Sequence, residues 1–110
     1  MAKTVKLWNT ERLERSEFDF VGHNGTVRSL DFHPSEGTLC SSDTDDVIKV
    51  WDLNRRIEIN EFKAGGSKVR FQPRSGMILA VANQNVINLI DFKNSTVVLR
   101  CLQMSFTYHI

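Results

Sequence analysis

The chain has 110 residues, 41% of them hydrophobic and 25% charged, the balance of a single soluble globular domain. Its 14 basic and 13 acidic residues leave a net charge of +1, which excludes a global pull toward nucleic acid or a membrane surface. No apolar run approaches the roughly 18 residues of a membrane helix. Met1 to Asn9 holds no apolar signal-peptide core. Cys40 and Cys101 each fall inside a predicted strand and read as buried free thiols of a reducing compartment, cytoplasm or nucleus.

Alternation with a period of two dominates, and no stretch keeps a helical period. Lys3 to Trp8 is a predicted strand closing on Trp8-Asn9. Glu17 to Val21 is a second, with Phe18 and Phe20 on one face. The cluster Gly22-His23-Asn24-Gly25 is a turn, and Thr26 to Phe32 is a strand anchored by Val27 and Leu30. His33-Pro34-Ser35-Glu36-Gly37 breaks it and leaves His33 exposed. Thr38 to Ser42, Val47 to Leu53 and Ile57 to Phe62 follow, joined by Asp43-Thr44-Asp45-Asp46 and Asn54-Arg55-Arg56. Thr26 to Phe62 is therefore one complete four-stranded antiparallel sheet.

The pattern repeats. Val47-Ile48-Lys49-Val50-Trp51-Asp52 echoes Thr4 to Asn9, with Trp8 and Trp51 43 positions apart. Gly-His and Trp-Asp at such a period mark a four-stranded propeller blade. Phe71-Gln72-Pro73 stands 39 positions after Phe32-His33-Pro34, and Ile90-Asp91 stands 39 after Trp51-Asp52. Met77 to Ala82, Asn85 to Phe92 and Thr96 to Leu102 complete this third unit. It has lost Gly-His to Gly65-Gly66 and Trp to Ile90, and Ala80 and Gln84 stand 39 positions after Ser41 and Asp45. This unit should hold by apolar packing of Val81, Ile87, Leu89 and Val97. The fold class is all-β, a propeller fragment of about two and a half blades. Its parts are a first half-blade over 3–21, a complete repeat over 22–62, a degenerate repeat over 63–102 and a tail over 103–110.

These residues resemble the WD40 repeat family. The complete repeat carries Gly22-His23, Phe32-His33-Pro34, Ser41, Asp45 and Trp51-Asp52 in family order. The resemblance implies a hydrogen-bonded chain of His23, Ser41 (or its neighbour Ser42), Asp45 and Trp51 inside the blade. A buried indole N–H needs an acceptor, which agrees with it. Val27 to Ser35, Leu39-Cys40-Ser41, Gly65-Gly66 with Val69 to Arg74, and Ile78 to Ala80 with Asn85 to Ile87 also resemble the WD40 region of the LEUNIG family of plant transcriptional co-repressors. That likeness runs from Thr4 to Arg100 and fails over Leu102 to Ile110, as in a truncated or misspliced copy.

No catalytic constellation is legible. His23 has no nucleophile within reach in the sequence and reads as structural. Three scattered His and two Cys lack metal-ligand spacing. Asp43, Asp45 and Asp46 lack the Gly and distal Glu of a calcium loop. Gly65-Gly66 is too short for a phosphate cradle. The chain reads as no enzyme, with no metal and no cofactor. The basic residues Arg28, Arg55, Lys68 and Arg70 are candidate partner contacts. The run Trp51-Asp52-Leu53-Asn54-Arg55 is similar to a cullin-ligase docking motif, with the basic residue one position late.

The resemblance implies a nuclear co-repressor region that engages transcription factors or repression machinery through protein contacts, without reading nucleic acid or touching membrane. The rivals are a ubiquitin-ligase substrate adaptor and a truncated product without function. An open arc of blades should self-associate, aggregate, or be rescued by missing blades in trans.

Overall fold

The computed structural model describes residues 3–7, 18–64, 68–83 and 85–102. Ten strands make up all of its regular structure there, and every pairing is antiparallel. Strands β1 (Thr4–Leu7) and β2 (Phe18–Val21) form a two-stranded sheet. Strands β3 (Val27–Phe32), β4 (Thr38–Asp43), β5 (Val47–Asp52) and β6 (Ile57–Lys63) form a four-stranded meander in chain order. Strands β7 (Lys68–Phe71), β8 (Ile78–Ala82), β9 (Val86–Asp91) and β10 (Thr96–Leu102) form another. Trp8, Gly65-Gly66, Gln84 and the tail 103–110 lie outside the described residues.

Short acidic turns set the meanders. The Asp52 carboxylate accepts the amides of Asn54 and Arg55 at 2.9 Å, which lets Arg56 take a left-handed φ of 59° and start β6. The next sheet repeats the device: Asp91 accepts from the Asn94 amide, and Ser95 sits at φ 56°. Side-chain acceptors of this kind replace the ladder bonds that a tight turn gives up.

The sheets stack through alternate residues, because successive side chains leave opposite faces of a strand. One face of the first four-stranded sheet gives Cys40, Ile48 and Val50, and the next sheet returns Val69, Phe71, Leu79, Val81 and Ile90. Each fully buried aliphatic here stabilises the stack by about 1.5–3 kcal/mol. Polar side chains fix the seam: Ser29 Oγ accepts the Val69 amide at 3.2 Å, and Asp31 Oδ2 accepts the Phe71 amide at 2.8 Å. On the other face, Leu39 and Trp51 pack against Val5 and Phe20 of the two-stranded sheet.

Several sequence expectations are corrected. Leu30 is not a buried anchor but 39% exposed, and Phe32 is more open still. Both point toward the two-stranded sheet, whose Val5 and Phe20 reach only Leu39 and Trp51. Ile87 and Val97 are exposed, and Leu89 only half-buried; the core of the third unit is Val69, Phe71, Leu79, Val81 and Ile90. Ile87 pairs with Ala82, on the face opposite that core. His33 is buried, its ring 5.0 Å from Phe71 and 5.5 Å from Phe92 between centroids. Gly76, at φ 63°, lies so close under that ring that a Cβ there would collide with it. Cys40 is buried as expected, but Cys101 is exposed.

Candidate functional site

The most ordered polar feature is a buried chain on the face of β4 and β5 turned toward the two-stranded sheet. Leu39, Ser41 and Asp43 share that face of β4 by alternation, as Lys49 and Trp51 do on β5. Trp51 Nε1–H donates to Ser41 Oγ at 2.8 Å. Ser41 Oγ lies 2.5 Å from His23 Nε2, and His23 Nδ1 lies 2.7 Å from Asp43 Oδ2. A carboxylate only accepts, so Nδ1 carries its hydrogen toward Asp43, and Nε2 is left to accept the serine hydroxyl. The chain reads Trp51 to Ser41 to His23 to Asp43. All four are buried, Ser41 wholly so.

The acid of this chain is Asp43, not Asp45. Asp45 is exposed in the turn, and its backbone amide donates to Asp43 Oδ1 at 2.8 Å, as the Val47 amide does at 3.2 Å. Burial alone would raise the Asp43 pKa. The His23 bond and the Val47 and Asp45 amides outweigh it and hold the carboxyl below the ordinary range. Asp43 thus joins the polar chain to the turn. Gly22 completes the enclosure: a Cβ there would stand 3.2 Å from the Trp51 ring edge. Ser42 faces the other way, toward Ser29.

Ser41, His23 and Asp43 have the connectivity of a hydrolytic triad. The sequence did not place a serine beside His23; folding does. The geometry nonetheless suits a lock. Ser41 Oγ also receives the indole N–H, which draws on the lone pair a nucleophile needs, and no solvent reaches it.

A second polar group was missed altogether. Lys49 is buried beside the chain, where its ammonium meets Glu58 at 2.9 Å and Glu61 at 2.5 Å. Burial would lower its pKa, but the bonds from Glu61 and Glu58 raise it, so the ammonium stays charged. Lysine in a strand normally reads as a solvent-facing position; only its place two residues before Trp51 hints at the inward face. Cys40, on the other face, has its thiol pushed up to about 12 by burial and the nearby Asp31. It is an inert packing group.

The third unit keeps the frame without the chain. Ile90 pairs with Leu79 as Trp51 pairs with Leu39. By the same pairing Val81, not Ala80, stands in Ser41's place, and Asn83, not Gln84, stands in Asp43's. Asn83 Oδ1 accepts the amides of Asn85 and Val86, both at 2.8 Å, as Asp43 caps its own turn. Asn88 is buried where Lys49 is, and it accepts from Arg100 Nε at 3.0 Å where Lys49 meets Glu61.

The candidate partner residues separate into two places. Arg55 folds back on Asp52 at 3.1 Å. Arg28 on β3 and Lys68 and Arg70 on β7 are exposed on the first strand of each four-stranded sheet. Arg28 and Arg70 border one shallow concavity of about 370 Å³ together with Val27, Ser29 and Leu30. A second concavity, of about 390 Å³, lies at the seam between the two sheets against His33, Gly76, Phe92 and Lys93. Among the described residues no cluster of His, Cys, Asp and Glu could hold a metal ion, and no helix is long and apolar enough to cross a membrane.

Residues 14–52 match the family of the WD domain, G-beta repeat. Transcriptional corepressor LEUNIG_HOMOLOG of Arabidopsis thaliana is 36% identical over 94 residues, covering 84% of this chain and 12% of that protein. GATOR2 complex protein WDR24 of Gallus gallus is 32% identical over 87 residues, covering 74% of this chain and 12% of that protein. Apoptotic protease-activating factor 1 of Rattus norvegicus is 35% identical over 86 residues, covering 74% of this chain and 7% of that protein. The chain thus spans 12% or less of the length of these relatives.

Proposed function

From a chain that carries a WD40 repeat and folds as part of a WD40-type β-propeller, we infer a non-catalytic scaffold for protein–protein contacts. The observation that carries this reading is the enclosure of its only triad-like group among the described residues. Ser41 is 0% exposed and is engaged by Trp51, so the chemistry-bearing side chains hold the blade together. The exposed cations Arg28, Lys68 and Arg70 are left for recognition. The likeness to a transcriptional corepressor supports a nuclear role in which these cations contact transcription factors or repression machinery. The ligase-adaptor reading has less support, because Arg55 is occupied by Asp52.

The test tethers the chain to a heterologous DNA-binding domain upstream of a reporter. Repression is expected, and it should vanish on joint reversal of Arg28, Lys68 and Arg70 to Glu with the thermal melt unchanged. A reporter indifferent to the tethered chain would contradict the corepressor role. Hydrolysis of p-nitrophenyl acetate that drops on Ser41→Ala would contradict the non-catalytic one.

A further inference from the structure

The outer face of the third unit copies the buried face of the second in its apolar part and inverts it in its polar part. On the second unit, Cys40, Ile48 and Val50 form the platform that the next sheet covers, and each is at most 2% exposed. The strand pairings put Ala80, Ile87 and Leu89 in those places on the third unit. Here Ile87 is 44% exposed, and Ala80 and Leu89 are half-buried. A concavity of about 430 Å³ opens over them, bordered by Arg70, Ile78, Ala80 and Leu89.

The polar code differs. On the second unit, Ser29 and Asp31 pair with Ser42 and Cys40 and accept two amides of β7. On the third, Lys68 and Arg70 pair with Ala82 and Ala80 and so hold the same two places. Two acceptors have become two donors. Arg70 spends one N–H on the Val69 carbonyl at 2.8 Å and keeps the rest of its fork.

We propose that this face docks an extended segment of a partner protein that alternates apolar and acidic side chains. The apolar side chains would lie on Ala80, Ile87 and Leu89, and the carboxylates on Lys68 and Arg70. The acidic character follows from charge complementarity, since a buried or half-buried cation must be met by an acceptor. A second copy stacked as β7 stacks on β3 is the wrong occupant. It would offer the amides of Leu30 and Phe32, the counterparts of Val69 and Phe71, to Lys68 and Arg70, donor against donor. The chain's own residues 103–110 contain no Asp or Glu. The proposal rests on the interaction-scaffold reading and names the chemistry of its partner.

The experiment uses the full chain and a short fluorescein-labelled peptide alternating Val and Glu. A Val–Lys peptide and a single-stranded oligonucleotide serve as the other probes, and binding is read by anisotropy. The Val–Glu peptide should bind, weakening about tenfold or more with Arg70→Glu and again with Lys68→Glu. Arg28→Glu, which points away from this face, should leave its affinity unchanged. Circular dichroism melts establish that these surface variants fold. Equal binding of the Val–Lys peptide, or indifference to both reversals, overturns the proposal. So does tighter binding of the oligonucleotide, or a dimer in sedimentation that the peptide displaces. Loss of peptide binding while the tethered chain still represses removes this inference and leaves the scaffold reading standing.

Discussion

Ser41→Ala is the sharpest perturbation of the buried chain, because it deletes one oxygen and disturbs little volume. Ser41 Oγ accepts Trp51 Nε1–H at 2.8 Å and contacts His23 Nε2 at 2.5 Å, with all three groups shut from water. The substitution leaves the indole donor and the imidazole nitrogen without partners. Each such orphan costs about 1–3 kcal/mol, so the loss should be about 2–6 kcal/mol. That is a large share of the roughly 5–15 kcal/mol of a whole domain. At about 4–8 °C per kcal/mol for a domain near this size, the melt should fall by at least about 8 °C. Ser42→Ala is the matched control. Its hydroxyl makes only a 3.5 Å contact to the Ser29 carbonyl among the bonds given for it, and the loss should stay under about 1 kcal/mol. A double-mutant cycle with Trp51→Phe sharpens the reading. Phenylalanine has no N–H to strand, so Ser41→Ala should cost about 1 kcal/mol or more less in that background. Thermal denaturation followed by circular dichroism measures all four corners. A Ser41→Ala loss below about 1 kcal/mol, or strict additivity with Trp51→Phe, would refute the hub role of Ser41.

Other outcomes follow from the same geometry. Trp51→Ala should cost roughly 3–5 kcal/mol, since it empties the space between Phe20 and Leu39, and an unchanged melt would sink that assignment. Because the folded Asp43 carboxyl titrates below its unfolded value near 3.9, its contribution is present above that pH and is lost as the pH falls through the folded value. Asp43→Asn should flatten that acid limb of the stability curve; a limb as steep as wild type would show that another group drives it. Ile90→Trp should bring no stability, because Val81 in Ser41's place offers no acceptor and the added volume must be accommodated; a clear rise in melting temperature would count against the pairing. Thr38 Oγ1 is buried with no partner among the described residues, so Thr38→Val should hold or raise stability by up to about 1 kcal/mol, checked by urea titration.

The strands were legible because alternation and Asp- or Gly-bearing turns are local signals. The membership of His23, Ser41 and Trp51 in one group was implied by family likeness, and their placement on one face follows from alternation. The acid was misread for a physical reason. Family spacing pointed to Asp45 in the turn, whereas the parity of β4 puts Asp43 on the same face as Ser41, two residues on. The third unit was misaligned for another. Between Phe71 and Leu79 it is one residue longer than between Phe32 and Leu39, and its β8–β9 turn is one shorter. The two changes cancel, so a constant spacing of 39 hides a one-residue shift along the whole of β8. Lys49 escaped notice because its burial depends on two carboxylates delivered by the next strand. The openness of Leu30 and Ile87 depends on which faces have a neighbour, which no single strand reveals.

The most direct test of the closed chain is the hydrogen-exchange rate of the Trp51 indole N–H, read by NMR in wild type and in three alanine variants. Slow exchange is predicted in wild type, with marked acceleration in Ser41→Ala and in Asp43→Ala and little change in Asp45→Ala. Fast exchange in wild type, or acceleration by Asp45→Ala with none by Asp43→Ala, would contradict a blade locked by Trp51, Ser41, His23 and Asp43.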